Sequence, residues 1–191
     1  ILSDGIIGQM MEKVILPPFK KRRTEDEIRK QCPWATLGRK GGRQPNIITS
    51  LELDSAVMEQ NNLRFQKKYA EIEANEVRYE EYQTEDADYI LVAFGSSARI
   101  CNKTVQLARE QGIKVGILRP ITLWPFPTKE IAKLADRAKG FLVAELNAGQ
   151  MIEDVRLAVN GKVPVEHYGR MGGMLFSPDE ILQALKEKVI K

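Results

Sequence analysis

The chain has 191 residues, a net charge of +3, 43% hydrophobic and 29% charged residues. This is the composition of a water-soluble globular protein with room for one ordinary domain and an attachment, and no apolar run is long enough to span a bilayer. Two cysteines, Cys32 and Cys101, and one histidine, His167, exclude a disulfide framework, a thiolate cage and a multi-histidine metal centre within this chain.

The charge is unevenly spread. Residues 18–50 hold nine Lys/Arg against three acids, and residues 51–88 hold eleven acids against four bases. The acidic block cancels the field of the basic one, so nucleic-acid binding is not expected; the blocks suit pairing with each other or with a partner subunit.

Ile1–Gly5 reads as the end of a strand, and Ile6–Lys13 as a short helix stopped by Pro17-Pro18. One strand end and one helix cannot form a core, so this piece is expected to belong to a domain whose remainder lies elsewhere or to pack on a neighbour. Residues 18–50, rich in Pro and Gly with basic clusters at Lys20–Arg23 and Arg39–Arg43, read as an extended connector anchored by Trp34. A helix is expected over Thr24–Gln31, where Thr24 and Glu27 have capping-box spacing. A long helix starts at Ser50 or Asp54 and runs to about Glu76, with Val57, Asn61, Phe65 and Tyr69 at steps of four. It has too few apolar residues to be central, so it is expected to lie over the domain or a partner.

Val77–Tyr82 alternates like an edge strand, expected to form a hairpin with the strand that follows. That strand is the unbroken apolar run Tyr89–Phe94, which suits burial on both faces. Gly95 ends it, Ser96-Ser97 stand where an N-cap would sit, and a helix bears Ile100, Cys101, Val105, Leu107 and Ala108 up to Gly112. The beat then repeats. Lys114–Arg119 is a strand, and Thr128 is expected to cap a helix with Ile131, Leu134, Ala135 and Ala138 on one face, ended by Gly140. Phe141–Glu145 is the next strand, before a helix bearing Ile152, Val155 and Val159. Val163–Tyr168 is the last strand, and Ser177-Pro178-Asp179-Glu180 opens a final helix.

Strands alternating with helices predict right-handed crossovers and an α/β, three-layer αβα fold. The sheet is expected to be five-stranded and mainly parallel, with one antiparallel edge strand, beside the extended linker and long helix. In such sheets ligands and partners meet loops at the carboxyl ends of strands. The candidate interface or ligand residues are therefore Gly95, Ser96 and Ser97, Arg119, Glu145, Asn147 and Gln150, and Tyr168 and Arg170. Gly95-Ser96-Ser97 could cradle a phosphate at a helix N-terminus, although no GxGxxG or Walker lysine accompanies it. Glu145 is displayed where a functional carboxylate belongs, but a hydrogen-bonded corner or a contact across a subunit interface is favoured over acid/base action, and Arg119 is placed to pair with it across the edge. His167 and Arg170 flank Tyr168, and Met171, Met174 and Phe176 read as a flexible contact surface. No complete catalytic set is present, so the catalytic residues expected in this chain are none, as are metal ligands.

The succession VAFGSSAR, GIKVGILRPITLWPFP and GFLVAELNAGQM resembles the transketolase C-terminal domain family over residues 77–191. With SDGIIGQMME, WATLGRKGG, QNNLRFQKKY and YGRMGG, the chain resembles the alpha-type subunits of 2-oxoacid:ferredoxin oxidoreductases of the 2-ketoisovalerate type. The resemblance implies an enzyme that decarboxylates a branched 2-oxoacid on thiamine diphosphate with magnesium, passes electrons through 4Fe-4S clusters to ferredoxin, and releases acyl-CoA. It implies that residues 1–17 end a thiamine-pyrimidine domain, 18–76 form a linker with a long helix, and 77–191 form the transketolase C-terminal-like domain. No cofactor is expected on this fragment, which would serve subunit assembly and flank the active site. Its expected partners are the other subunits of a cytoplasmic oligomer, with ferredoxin and CoA acting at the level of the whole enzyme and with neither membrane nor nucleic acid. Two other readings remain open: a nucleotide- or CoA-binding α/β module, and the C-terminal domain of another thiamine-dependent enzyme such as transketolase, a dehydrogenase E1 beta chain, or a pyruvate or 2-oxoglutarate ferredoxin oxidoreductase.

Overall fold

A computed structural model describes residues 5–11, 13–35, 38, 42 and 44–190. The strand end expected at Ile1–Gly5 and most of the Arg39–Arg43 cluster lie outside the described residues. The chain divides into two compact units, one formed by Ile1–Met10 with Lys67–Lys191 and the other by Met11–Gln66.

In the smaller unit, α2 (Glu25–Gln31) begins with the expected capping box: Thr24 Oγ1 accepts from the Glu27 N–H, and the Glu27 carboxylate accepts from the Thr24 N–H. None of its residues is buried. Trp34, expected to anchor the connector, is 62% exposed. The long helix is α3 (Ser55–Asn75), whose residues belong partly to each unit and which likewise buries nothing. α1 (Gly5–Gln9) is shorter than the helix expected over Ile6–Lys13.

The larger unit carries β1 (Tyr79–Tyr82), β2 (Tyr89–Val92), α4 (Gly95–Glu110), β3 (Val115–Pro120), α5 (Thr128–Ala135), β4 (Gly140–Glu145), α6 (Met151–Val159), β5 (Val165–Gly169), α7 (Pro178–Leu185) and a π-helical turn at Lys186–Ile190. The strands form one sheet in the order β1-β3-β2-β4-β5, parallel except for the β1–β3 pair. Successive residues of β2 and β4 face opposite sides, and both sides are covered, which is why these strands read as continuous apolar runs. Ile90, Val92, Phe141 and Val143 pack with α5 and α6 on one face. Leu91, Ala93, Leu142 and Ala144 pack with α4 and α7 on the other, where Cys101, Val105 and Ile181 are fully buried. The three layers are those expected.

Four local expectations are corrected. β1 does not form a hairpin with β2; it pairs antiparallel with β3, Tyr79 opposite Pro120 and Tyr82 opposite Ile117. The turn between β1 and β2 is held instead by two later arginines, one in α4 and one in the turn after α5. Arg109 donates to the Gln83 and Val115 carbonyls and pairs with Asp86, and Arg137 donates to the Thr84 carbonyl. Ser96 and Ser97 are not caps: α4 starts one residue earlier, with Phe94 at its N-cap and both serines buried in its first turn. Thr128 is likewise inside α5, whose N-cap is Pro127, and Gly140 opens β4 instead of ending the preceding helix.

Candidate functional site

β2, β3, β4 and β5 run the same way, so the loops after them share one rim. α4 leaves β2 toward one face of the sheet and α6 leaves β4 toward the other. Since β2 and β4 are neighbours, their carboxyl ends form a topological switch point, the place where open α/β sheets present a crevice. Gly95, Ser96 and Ser97 stand on one side of it, and Glu145, Asn147 and Gln150 on the other.

Glu145 ends a strand whose six positions are all buried, and it is 1% exposed. It shares the side of Phe141 and Val143, the face on which α6 lies. Its carboxylate therefore meets the start of that helix. Oε2 accepts from the Met151 N–H at 2.9 Å and from Asn147 Nδ2 at 3.1 Å, and Oε1 accepts from the Ile152 N–H at 3.1 Å. The Gln150 N–H lies 3.3 Å from both oxygens. Gln150 is the geometric N-cap, yet its side chain makes no cap bond. The buried carboxylate of the preceding strand takes that role, and the positive end of the helix favours its charge. Asn147 completes the loop, its Oδ1 accepting from the Gly149 N–H at 2.7 Å.

His167 follows from the same alternation. On β5 it stands in register with Val143, and its Nε2 lies 3.8 Å from Glu145 Oε1 without a hydrogen-bond partner. Burial pushes its pKa below the usual histidine range; Glu145 opposes that shift, and Lys188 and Arg156 add to it. The same enclosed carboxylate contributes to an upward shift at Asp154, after burial of Asp154 itself and the neighbouring Glu153 charge.

Tyr168 points to the opposite face, with its ring 5.9 Å from that of Phe176. Phe176 is only 4% exposed, so it belongs to the core and not to a contact surface, whereas Met171, Met174 and Leu175 are exposed. Arg170 donates its N–H to the Glu145 carbonyl at 3.2 Å, and its guanidinium pairs with Glu180. Glu180 in turn closes the capping box of α7 with Ser177. The Ser177 N–H and the guanidinium of Arg170 hold the Glu180 carboxyl below its ordinary pKa, and Glu180 raises that of Arg170 in return.

Arg119 does not pair with Glu145. It is exposed and bonds Glu80 of β1 at 2.8 Å, because it sits on a face turned away from the α6 corner. Apart from Gly95–Ser97 in the first turn of α4 and Tyr168 against Phe176, the expected residues separate into three groups: a corner in which buried Glu145 meets half-buried Asn147 and exposed Gln150, a brace from Arg170 to α7, and an outlying Arg119–Glu80 pair. Sequence reasoning left two contacts unseen, His167 against Glu145 and Glu180 against Arg170. The first was signalled by parity, since both residues share a face of adjacent strands; the second had only the capping motif to mark it.

Chemically, the corner is a holder of backbone. The carboxylate spends its lone pairs on N–H groups that have no other acceptor at the start of α6. A cubane iron–sulfur cluster takes four thiolates, and the two cysteines of this chain cannot supply them. Among the described residues no three His, Cys, Asp or Glu side chains converge as a metal site, and no helix is long and apolar enough to cross a membrane. What the rim does offer is apolar surface: Ile121, Leu123 and Trp124 after β3, and Met171, Met174 and Leu175 after β5.

Residues 87–181 match the family model for pyruvate:ferredoxin oxidoreductase core domain II. Over 187 residues the chain is 44% identical to ketoisovalerate oxidoreductase subunit VorB of Methanothermobacter marburgensis, covering 98% of this chain and 51% of that protein. It is 29% identical over 205 residues to 2-oxoglutarate synthase subunit KorA of the same organism, covering 97% and 55%. The chain spans about half the length of these curated relatives. Among solved structures, a 2-oxoglutarate:ferredoxin oxidoreductase from Magnetococcus marinus, with 2-oxoglutarate, coenzyme A and succinyl-CoA bound, superposes with a TM-score of 0.64 at 22% identity over 81% of this chain and 28% of that one. A split-gene transketolase, an inactive β4 tetramer, superposes at 0.52 and 15% identity over 59% and 41%. At those identities the two structures speak to the fold, which is transketolase C-terminal-like.

Proposed function

Because this chain is a VorB-like part of the alpha-type subunit of a 2-oxoacid:ferredoxin oxidoreductase, we propose that it is the non-catalytic, assembly-forming region of a 2-ketoisovalerate-type enzyme. The whole enzyme would convert a branched 2-oxoacid, CoA and oxidised ferredoxin to acyl-CoA, CO2 and reduced ferredoxin. Residues 77–191 would be its transketolase C-terminal-like domain, 18–76 its linker with the long helix, and 1–17 the end of a thiamine-pyrimidine domain. The thiamine diphosphate, magnesium and 4Fe-4S clusters would be bound by polypeptide other than this chain, and would supply carbanion chemistry and electron transfer there. The chain's own residues brace and orient the rim, which would flank the approach to that active site.

The observation that supports this reading most is the state of Glu145. It is the one buried charged side chain among the described residues, and its oxygens are committed to the first N–H groups of α6. The exposed rim loops, by contrast, carry the apolar surface a partner subunit needs. The alternative, a nucleotide- or CoA-binding module at Gly95–Ser97, has less support, because both serines are buried within the first turn of α4 instead of offering hydroxyls to a ligand.

Calorimetry and co-purification test the proposal together. The chain is expected to show no micromolar binding of thiamine diphosphate and to co-purify with the other subunits when expressed with them. Turnover of 2-oxoacid by the chain alone, or failure to associate with any other subunit, would overturn it.

A further inference from the structure

Residues 14–21 read VILPPFKK and carry neither helix nor strand. Pro17 and Pro18 fix φ near that of polyproline II and push the preceding residue to extended backbone, so the ribbon is ordered before it meets anything. Its side chains are in water: Val14, Ile15, Leu16 and Phe19 are between 75% and 108% exposed. Four bases, Lys20 to Arg23, follow directly. Such a preformed apolar ribbon with a basic tail has the form of a ligand.

The larger compact unit contains a groove with the matching chemistry. The last turns of α3 and the loop after β3 enclose an open cavity of about 630 Å³, with Ala74, Val77, Trp124 and Phe126 as its apolar lining and Glu73 and Glu130 as its acids. Lys129 also lines it and offsets one of the two negative charges. Trp124 is 55% exposed and meets Tyr69 edge-on, ring centroids 5.7 Å apart. Aromatic-lined grooves take polyproline ribbons between their rings, and acids at the rim take the basic residues that follow.

We propose that this groove receives the Leu16-Pro17-Pro18-Phe19-Lys20-Lys21 segment of a second copy of the chain. The charges are complementary where the two would meet: four bases, Lys20 to Arg23, follow the ribbon before the acids of α2 begin at Glu25, and the groove carries two acids against one lysine. Reciprocal exchange fills both grooves and closes a two-fold dimer, with no ribbon or groove left over. The proposal rests on the reading of this chain as an assembly region, since the loop after β3 is one of its rim loops, and it adds the identity of one occupant.

Light scattering on the full chain, with Cys32→Ser to remove the accessible thiol, provides the test. A dimer is expected whose dissociation constant rises about tenfold or more in Trp124→Ala, the loss expected of a central aromatic. Glu73→Lys with Glu130→Lys is expected to weaken it as well, and Lys20→Glu with Lys21→Glu in the same chain to restore it. Copies carrying only Leu16→Cys, mixed with copies carrying only Ala74→Cys, are expected to form a disulfide-linked pair on oxidation. A monomer at every concentration, a dimer indifferent to Trp124→Ala, or an internal disulfide without a pair when one chain carries both cysteines would overturn the proposal. A monomeric Trp124→Ala chain that still co-purifies with the other subunits leaves the assembly reading standing, and a dimeric chain that binds none of them overturns that reading alone.

Discussion

Glu145 works as a cap delivered from a distance. The residues it serves are five to seven positions downstream, beyond the three-residue spacing by which caps are read from sequence. The chain order showed a carboxylate at a strand end, where catalysis and capping look alike; only the fold brings Met151 and Ile152 to its oxygens. Replacing it with Gln removes the charge and turns an amide donor toward backbone donors. Glu145→Gln is expected to cost about 2–4 kcal/mol, measured by urea unfolding, because it leaves buried N–H groups without an acceptor. His167 beside it gives a pH signature. Its folded pKa is lowered by burial, so below about pH 6.5 the unfolded chain binds protons that the folded chain refuses. The stability tied to neutral His167 is complete above that value and is lost as pH falls through the folded pKa. Unfolding free energies taken from pH 7.5 down to 5 are expected to fall more steeply in the native chain than in His167→Gln; parallel curves would remove His167 from the account.

At the scale of elements, the corner between β4, β5 and α6 leaves no room for a side chain at Gly169. A Cβ there would stand 2.2 Å from the Asn147 carbonyl oxygen and 2.5 Å from His167 Cε1. Gly169→Ala is therefore expected to push the Asn147 loop aside and to cost about 1–3 kcal/mol, seen as a lower urea midpoint. The elements themselves were largely legible. Runs such as Tyr89–Phe94 and Phe141–Glu145 announce buried strands, and Ser177-Pro178-Asp179-Glu180 announces a helix start that the structure reproduces bond for bond. The start of α4 was not legible, because Ser96-Ser97 has cap composition while the φ of +56° at Gly95 lets the helix begin earlier. The place of β1 was not legible either, since sequence proximity argues for a hairpin and the deciding contacts come from Arg109 and Arg137, 26 and 53 residues downstream of the carbonyls they hold.

For the molecule as a whole, the buried side chains among the described residues lie between Thr84 and Leu185, and neither α2 nor α3 buries any. The cooperative unit is therefore the sheet with α4–α7. A chain of residues 67–191 is expected to melt in a single transition within about 5 °C of the full chain by calorimetry. A broad or non-cooperative transition would show that residues 1–66 contribute to the core. The fold class was visible because periodicity reports burial, and burial is what the three layers share. The exposed ribbon at Val14–Phe19 was visible only as a linker, because a sequence does not say whether an apolar run is covered.

The β1–β3 pairing carries a consequence for synthesis. Tyr79 leaves the ribosome 41 residues before Pro120, its partner in the register, a wait of roughly two to eight seconds at ~5–20 residues per second. During that interval YEEY is a strand without a neighbour, and the adjacent Glu80 and Glu81 are the kind of charge that keeps such a segment from pairing with another nascent chain. The edge of this sheet is thus laid down first and closed late, and its two glutamates guard the wait.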